Sequence, residues 1–173
     1  YEHTEFEGTE VGTIFTNQGI EGRIEVAQAD RGGWRGASGL QYSHRDFNAI
    51  GAEAFVPRNL TDQFALFTLQ ELTTGAIGLE GALRYERTRV DAPTLGLDRR
   101  FSSVSGALGL SIDIADRSKI SLSASRAERA PSAEELYSNG PHVATQSFEL
   151  GNPALRTERA WGAEASINVR RDS

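Results

Sequence analysis

The stretch Ser103–Ile114 reads SVSGALGLSIDI and alternates between two kinds of side chain along its length. One set is largely apolar and consists of Val104, Gly106, Leu108, Leu110, Ile112 and Ile114. The other is small or polar and consists of Ser103, Ser105, Ala107, Gly109, Ser111 and Asp113. A period of two is the period of a β-strand, whose successive side chains point to opposite faces. This stretch therefore predicts a strand with one apolar face and one polar face.

The same alternation recurs on both sides of this strand. It is clear at Ile20–Val26, at Ile77–Glu86, at Ile120–Ser125 and at Trp161–Val169. Strands of this type, bounded by turn residues, lead us to place about eight of them in the chain. They lie near residues 1–7, 20–29, 34–45, 63–72, 76–89, 102–114, 119–127 and 155–170. The sequence thus predicts an all-β protein in which these strands follow one another.

The connections between the predicted strands alternate in length. The short ones are Asp30–Gly33, Thr73–Gly75 and Ala115–Ser118, and the long ones are Gly8–Gly19, Asp46–Asp62, Val90–Phe101 and Glu128–Ala154. In an antiparallel up-and-down meander every second connection lies at the same end, so one end would carry only turns and the other only loops. Outer-membrane β-barrels have this asymmetry. A soluble β-sandwich that serves as a binding module does not require long and short connections to alternate, and it is the less favoured alternative.

Composition narrows the classes of function. Hydrophobic residues make up 38% of the chain and charged residues 24%, which suits a sheet with one wet face. Cysteine is absent, so disulfides, thiolate metal sites and cysteine nucleophiles are excluded. A net charge of −6 without a basic stripe argues against a nucleic-acid partner. No apolar run approaches the roughly 20 residues of a spanning helix, but a spanning strand needs only ~9–11 alternating residues.

If the strands belong to an outer-membrane barrel, the positions of apolar and aromatic side chains can also be predicted. We expect one face, which includes Leu108, Leu110, Ile112, Ile167 and Val169, to meet lipid in the intact protein. Trp34, Tyr42, Tyr85 and Trp161 fall near predicted strand ends, where such barrels carry interfacial girdles. Ordinary cross-strand packing explains these four aromatic residues equally well.

The stretch Ser121–Leu155 resembles the late-barrel signature of TonB-dependent outer-membrane receptors. The matching elements are Arg129-Ala130-Pro131, Glu135-Leu136-Tyr137, Gly151-Asn152-Pro153, Leu155 and Glu158. Upstream, YEHTEFEGTEVGTIFTN at residues 1–17 and DFNAIGAEAFVPRNLT at residues 46–61 are similar to the branch that includes zinc-uptake receptors. Prolines mark the signature as loop, since proline cannot donate to a strand ladder.

The resemblance implies that residues 1–173 form part of one barrel domain, an antiparallel segment of a barrel of about 22 strands. It implies active uptake across the outer membrane of a Gram-negative cell rather than enzymatic activity. The plug domain and terminal strands are expected outside this chain, and a TonB-type energy-coupling protein would act through the plug. Outer-membrane lipid and a metal ion or metal chelate complete the implied partners. A ferric-siderophore receptor and a small structural or adhesive barrel are the alternatives.

Histidine and acidic residues provide the candidates for a metal ligand set. His3 with Glu5, and His44 with Asp46, are residues two apart that share a strand face and could offer nitrogen and oxygen to one cation. His142 lies in the longest predicted loop. Because the resemblance points to zinc uptake, we predict His3, Glu5 and His142 as ligands for Zn²⁺ as the transported ion. Solvated surface histidines are the competing interpretation.

Catalytic residues are not predicted. Ser138 and His142 stand four apart, but no Gly-x-Ser-x-Gly elbow surrounds the serine. The adjacent acids Glu134 and Glu135 do not fix the carboxyl separation that a glycosidase requires. Both groups are interpreted as ordinary loop residues.

Overall fold

The computed structural model describes residues 2–7, 10–51, 54–115, 118–142 and 147–169. Its strands are β1 (Glu2–Glu7), β2 (Glu10–Arg31), β3 (Trp34–Gly51), β4 (Asn59–Thr74), β5 (Ile77–Ala92), β6 (Leu97–Ala115), β7 (Ser118–Arg129), β8 (Asn139–His142), β9 (Ser147–Leu150) and β10 (Glu158–Val169). A 3-10 turn at Pro93–Leu95 and a short helix, α1 (Ala133–Tyr137), complete the elements. Within the described ranges no helix is long and apolar enough to cross a membrane.

Eight strands form one antiparallel sheet in the order β1-β2-β3-β4-β5-β6-β7-β10. Neighbours in the sheet are thus neighbours in sequence, apart from a separate β8–β9 hairpin inserted between β7 and β10. This confirms the predicted all-β meander and its strand count. The order ends at β1 and β10, which do not pair with each other among the described residues. A small barrel closed by these eight strands would require that pairing, so this alternative does not describe the fold.

The strands extend further than predicted, and three of the four expected long loops are largely strand. β2 starts at Glu10, β3 runs to Gly51, and β5 and β6 are joined only by the turn around Pro93–Leu95. The prediction of loops there was wrong because it followed a single apolar face. In β5, for example, the apolar side chains change from the outer face at Leu83 and Tyr85 to the inner face at Val90 and Ala92. The backbone ladder continues in such places because it does not depend on side-chain polarity.

At the end of the sheet opposite the Pro93–Leu95 turn, short turns connect the strands. β2 and β3 meet through Gly32 and Gly33, whose φ angles of 67° and 86° lie in the left-handed region that favours glycine. Gly75, with φ 55°, plays the same part between β4 and β5. The third predicted short turn includes residues 116 and 117, which lie outside the described residues.

The outer face of the sheet is apolar and exposed. Cross-strand rows include Leu40–Leu66–Tyr85–Val104, Leu79–Leu110–Leu122 and Ile77–Ile112–Ile120–Ile167. The residues expected to meet lipid therefore share one face. From Val104 to Ile114 the strand spans about 33 Å at ~3.3 Å per residue. At a tilt near 40° this gives a band of about 25 Å, the height of the apolar band in outer-membrane barrels.

Four aromatic residues predicted near strand ends all lie on this outer face, with exposed fractions between 38% for Tyr85 and 78% for Trp161. Trp34 begins β3 at the end with the short turns. Tyr42 and Tyr85 lie in the middle of strands that are longer than predicted, close to Phe64, which pairs with Tyr42. These positions mark the two borders of the apolar band.

The inner face is polar and holds the compact core of the described chain. Here Val90, Ala92 and Phe101 pack against residues of α1, which are Ala133, Leu136 and Tyr137. The covering chain belongs to the connection between β7 and β10, of which the structure describes residues 130–142 and 147–157; we call these residues the inner segment. Part of a connection that the sequence predicted as a long loop thus folds back onto the inner face of the sheet.

Candidate functional site

The inner segment contains a complete helix cap. Ser132 Oγ accepts from the amide of Glu135, and the Glu135 carboxylate accepts from the amide of Ser132 at 2.8 Å. Such a capping box satisfies amides that the first turn of a helix leaves without partners. At the other end Ser138 Oγ donates to the carbonyl of Glu134. A helix of only five residues is therefore held at both ends by local hydrogen bonds.

Arg129, at the end of β7, joins the inner segment to the sheet. Its guanidinium donates to both carboxylate oxygens of Glu135 at 2.7 Å and contacts Glu158 at 2.6 Å, at the start of β10. Bidentate arginine–carboxylate pairs are geometrically specific. The bond from Arg129, together with the amide of Ser132, lowers the pKa of Glu135 to about 2. Through these two carboxylates Arg129 connects the end of β7 to α1 and to the start of β10.

The Gly-Asn-Pro motif contacts α1 through its backbone. The amide of Gly151 donates to the carbonyl of Ser138 at 2.7 Å, and that of Asn152 to the carbonyl of Glu135 at 2.9 Å. A Cβ on residue 151 would lie 2.6 Å from the Tyr137 nitrogen. Glycine is required here because the two backbones approach so closely.

Tyr137 and Leu136 anchor α1 on the sheet. Leu136 is fully buried, and the Tyr137 hydroxyl donates to the carbonyl of Val90 at 3.0 Å. Burial raises the pKa of the Tyr137 phenol. From β6, Arg99 donates to the carbonyl of Leu155 at 3.0 Å. The residues that carry the sequence resemblance therefore meet in space as one structural unit.

Below α1 the inner face forms a polar cavity of about 580 Å³. The inward-pointing side chains of its sheet wall are Asn17, Glu21, Ser43, Arg45, Thr61, Gln63 and Thr88. Residues Ala130–Ala133 of the inner segment form the other wall. A concave surface with several polar groups is what small-molecule sites use to orient a ligand.

Arg45 spans this cavity. Its Nη1 contacts a carboxylate oxygen of Glu134 at 3.4 Å, and its Nε donates to Asn17 at 3.2 Å. The guanidinium also lies 4.8 Å from the centre of the Phe47 ring. Because the Arg45–Glu134 pair is long and partly exposed, we expect a weak contact that an anionic ligand can replace.

The three predicted metal ligands are not brought together by the described side chains. His3 lies on β1 with its ring stacked 6.4 Å from that of Phe15. Glu5 is on the same strand and His142 ends β8, but the side chains of these two residues lie outside the described part. Among the described residues no cluster of three or more His, Asp or Glu could hold a metal ion. Zinc ligation by these residues remains a prediction.

The His44 and Asp46 pair points outwards, and each residue has its own partner. His44 Nδ1 lies 2.8 Å from Asp62, whereas Asp46 accepts two hydrogen bonds from Arg58, at 3.1 and 2.7 Å. In this arrangement the two side chains do not converge on one position for a cation.

Sequence reasoning missed the cavity residues. Arg45, Gln63 and Thr88 come from three strands, and no spacing in the sequence connects them. The only available signal was their position on the polar side of each alternation. The capping box of α1, in contrast, was visible as Ser132 three residues before Glu135.

Comparison with known proteins places this architecture in context. The family described as TonB dependent receptor-like, beta-barrel matches residues 3–173. Among solved structures, the copper transporter OprC is similar with a TM-score of 0.74 and 17% identity, over 92% of this chain and 29% of that chain. A double mutant of the Serratia marcescens hemophore receptor HasR, in complex with its hemophore HasA and heme, is similar with a TM-score of 0.71 and 18% identity. The match covers 92% of this chain and 30% of HasR, so the chain spans under a third of either protein.

Proposed function

Because the chain belongs to the TonB-dependent receptor β-barrel family, we propose that it forms part of the barrel of an outer-membrane active-uptake receptor. The observation that carries this proposal is the pairing of an apolar outer face with a polar inner face that holds a ligand-sized cavity. The plug domain and the remaining strands of such a receptor would lie outside this chain. An energy-coupling protein of the TonB type would act through the plug.

Metal ions or metal chelates are the ligand class that we favour. The two similar structures are named as a copper transporter and as a hemophore receptor in complex with its hemophore and heme. Copper and heme both contain a metal. The sheet wall of the cavity offers the Arg45 guanidinium, amides and hydroxyls, and its one carboxylate, Glu21, already accepts a hydrogen bond from Gln41. Such a lining suits an anionic chelate, whereas a bare cation would need additional ligands.

Zn²⁺ through His3, Glu5 and His142 is the specific alternative for a bare ion. Imidazole nitrogen and carboxylate oxygen are established zinc ligands. Calorimetry with Zn²⁺ on the receptor that contains this segment, and on its His3→Ala, Glu5→Gln and His142→Ala variants, tests this ligand set. His44→Ala is the matched control because His44 faces outwards and contacts Asp62. Unchanged zinc affinity in all three variants would remove these residues from the site.

Uptake assays separate the candidate cargoes. Cells that produce the receptor are given labelled Zn²⁺, Cu²⁺, heme or a ferric siderophore, with and without a protonophore. Active uptake predicts accumulation of one cargo that stops when the proton gradient is removed. Accumulation that ignores the protonophore for every cargo would contradict energy-coupled transport.

The inner cavity is tested by charge removal. Arg45→Gln takes away the guanidinium that spans it, and Arg35→Gln makes the same change on the same strand beside the short turn, where Arg35 contacts Glu71. If an anionic chelate is the cargo, we expect weaker binding by about tenfold for Arg45→Gln and no change for Arg35→Gln. Equal affinity in both variants would exclude Arg45 from ligand recognition.

A further inference from the structure

The sheet is divided between β6 and β7 towards the end that carries the inner segment. The ladder of main-chain hydrogen bonds between these strands ends at the pair Gly106–Arg126, although β7 extends to Arg129. The ladders on either side continue, since β6 pairs with β5 as far as Leu97 and β7 pairs with β10 as far as Arg129. The interruption is therefore local to these two strands. We call it the split, and it consists of Leu97–Ser105 on β6 and Ala127–Arg129 on β7.

Side chains replace the first main-chain pair of the split. At the register of the ladder below, Val104 would face Glu128. The amide of Val104 donates instead to Oε2 of Glu128 at 2.7 Å, and its carbonyl accepts from Nη1 of Arg126 at 2.8 Å. The amide of Glu128 donates to Oγ of Ser105 at 2.9 Å, and this hydroxyl donates to the Glu128 carbonyl at 3.2 Å. The four main-chain groups that two paired residues would exchange are thus bonded to side chains.

An arginine and a glutamate two residues apart do not by themselves interrupt a ladder. Arg84 and Glu86 on β5 form an ion pair at 2.7 Å, and the ladders on both sides of β5 continue past them. Glu128 differs because its side chain is only 5% exposed and also accepts from Arg159 of β10 at 2.6 Å. Its carboxylate is therefore enclosed at the split, in the place where a main-chain pair would otherwise form.

The inner segment crosses from one side of the split to the other. It leaves β7 at Ala130, two residues after Glu128, and α1 packs on the other side against Val90 of β5 and Phe101 of β6. If the ladder continued in register, Ala130 would lie opposite Ser102, along the edge of β6 rather than over its inner face. Docking of α1 and extension of the ladder therefore compete for the same part of β7.

We propose that the split is a two-state switch that lowers the free-energy cost of moving the inner segment away from the cavity. In the docked state side chains bridge the split, and Ala130–Ala133 form one wall of the 580 Å³ cavity. In the released state Val104 and Glu128 pair through their main chains while α1 leaves the inner face. The hydrogen bonds gained by the ladder offset part of the contacts that α1 loses. That this release opens a ligand site rests on the proposed function.

Hydrogen exchange tests the switch, measured residue by residue on the detergent-solubilised receptor that contains this segment, without cargo. Glu128→Leu removes the side-chain acceptor of the Val104 amide and leaves every main-chain group in place. The matched control is Glu86→Leu, which removes the carboxylate of an arginine–glutamate pair beside continuous ladders. The amide of Val104 reports on the split, and the amide of Leu136 reports on α1.

In Glu128→Leu we expect the Val104 amide to exchange no faster than in the parent, because the main-chain carbonyl of residue 128 replaces the lost carboxylate. The Leu136 amide should exchange about tenfold faster, the effect of transferring one or two net hydrogen bonds from the docked state to the released state. Faster exchange at Val104, or unchanged exchange at Leu136, would overturn the proposal. An equal acceleration at Leu136 in Glu86→Leu would overturn it as well.

Arg126→Leu is the second variant, used if circular dichroism shows that Glu128→Leu does not fold. It removes the donor to the Val104 carbonyl, and the same two results at Val104 and Leu136 are required of it. Because cargo is absent from these measurements, they are independent of the uptake assays. Energy-coupled uptake by a receptor whose two amides do not respond in this way would contradict this inference alone.

Discussion

Gly151 shows how one residue holds the inner segment in place. A Cβ there would lie 2.6 Å from the Tyr137 nitrogen and 2.7 Å from the carbonyl carbon of Leu136, both backbone atoms. We predict that Gly151→Ala lowers the stability of the docked segment by about 1–3 kcal/mol, the usual cost of overpacking. Hydrogen exchange at the amides of α1 measures this effect. Gly22→Ala is the control because its Cβ would meet open space, and an equal change in both variants would refute the explanation.

Glu135 makes the docking of the inner segment depend on pH. Its pKa of about 2 lies below the ordinary value of 4.5, first because of the Arg129 hydrogen bonds. A depressed carboxyl pKa adds stability that is fully present above about pH 4.5 and is lost as the pH falls towards 2. We expect faster exchange of the α1 amides, corrected for intrinsic rates, at pH 3 than at pH 6. Glu135→Gln should remove most of this difference, and an unchanged profile in that variant would contradict the assignment.

The sequence allowed the residues of a local motif to be predicted, but not which residues from distant strands meet in the cavity. The acidic, arginine and glycine residues of the late signature were identified, and they meet as Arg129, Glu135 and Gly151 around α1. Arg45 was not identified, since its role depends on Glu134, which is 89 positions away in the sequence. No sequence pattern connects two charged residues that are so far apart in the chain, so the cavity could be identified only from the structure.

At the scale of the strand, the outer face has to remain apolar to be stable in a bilayer. Leu108 is 72% exposed on that face, while its neighbour Ala107 points to the inner side. We predict that Leu108→Lys destabilises the receptor in lipid bilayers by about 2–4 kcal/mol, with the larger values towards the midplane. Ala107→Lys should cost much less because inner positions contact water. Urea titration of the receptor folded into vesicles checks the pair, and equal losses would mean that the faces are wrongly assigned.

Strand existence could be predicted from the sequence, but strand ends could not. Alternation located all eight strands of the main sheet. The predicted strand began too late in β2 and ended too early in β3 and β5. At the end of β5 the apolar side chains, Val90 and Ala92, lie on the inner face, while the backbone hydrogen bonds continue. α1 was assigned to a loop because a helix of five residues is too short to show helical periodicity.

The whole molecule has two surfaces that need partners outside the described chain. One is the apolar outer face, and the other consists of the free edges of β1 and β10. Exposed apolar patches and unpaired edges both promote association. We predict that the chain alone, in buffer without detergent, sediments as oligomers or aggregates, and that detergent reduces this association. A stable monomer in sedimentation velocity without detergent would show that the outer face is covered in some other way.

The order of the strands in the sheet also has a kinetic consequence. The strands from β1 to β7 form six consecutive pairings, each between neighbours along the chain, so every one of these pairings closes only a short loop. Short loops form rapidly because little chain entropy is lost on closure. β10 is different, since it pairs with β7 across the whole inner segment. We therefore expect this pairing to be the late event in assembly, and the inner segment to set its rate by forming α1 first and bringing β10 to its neighbour.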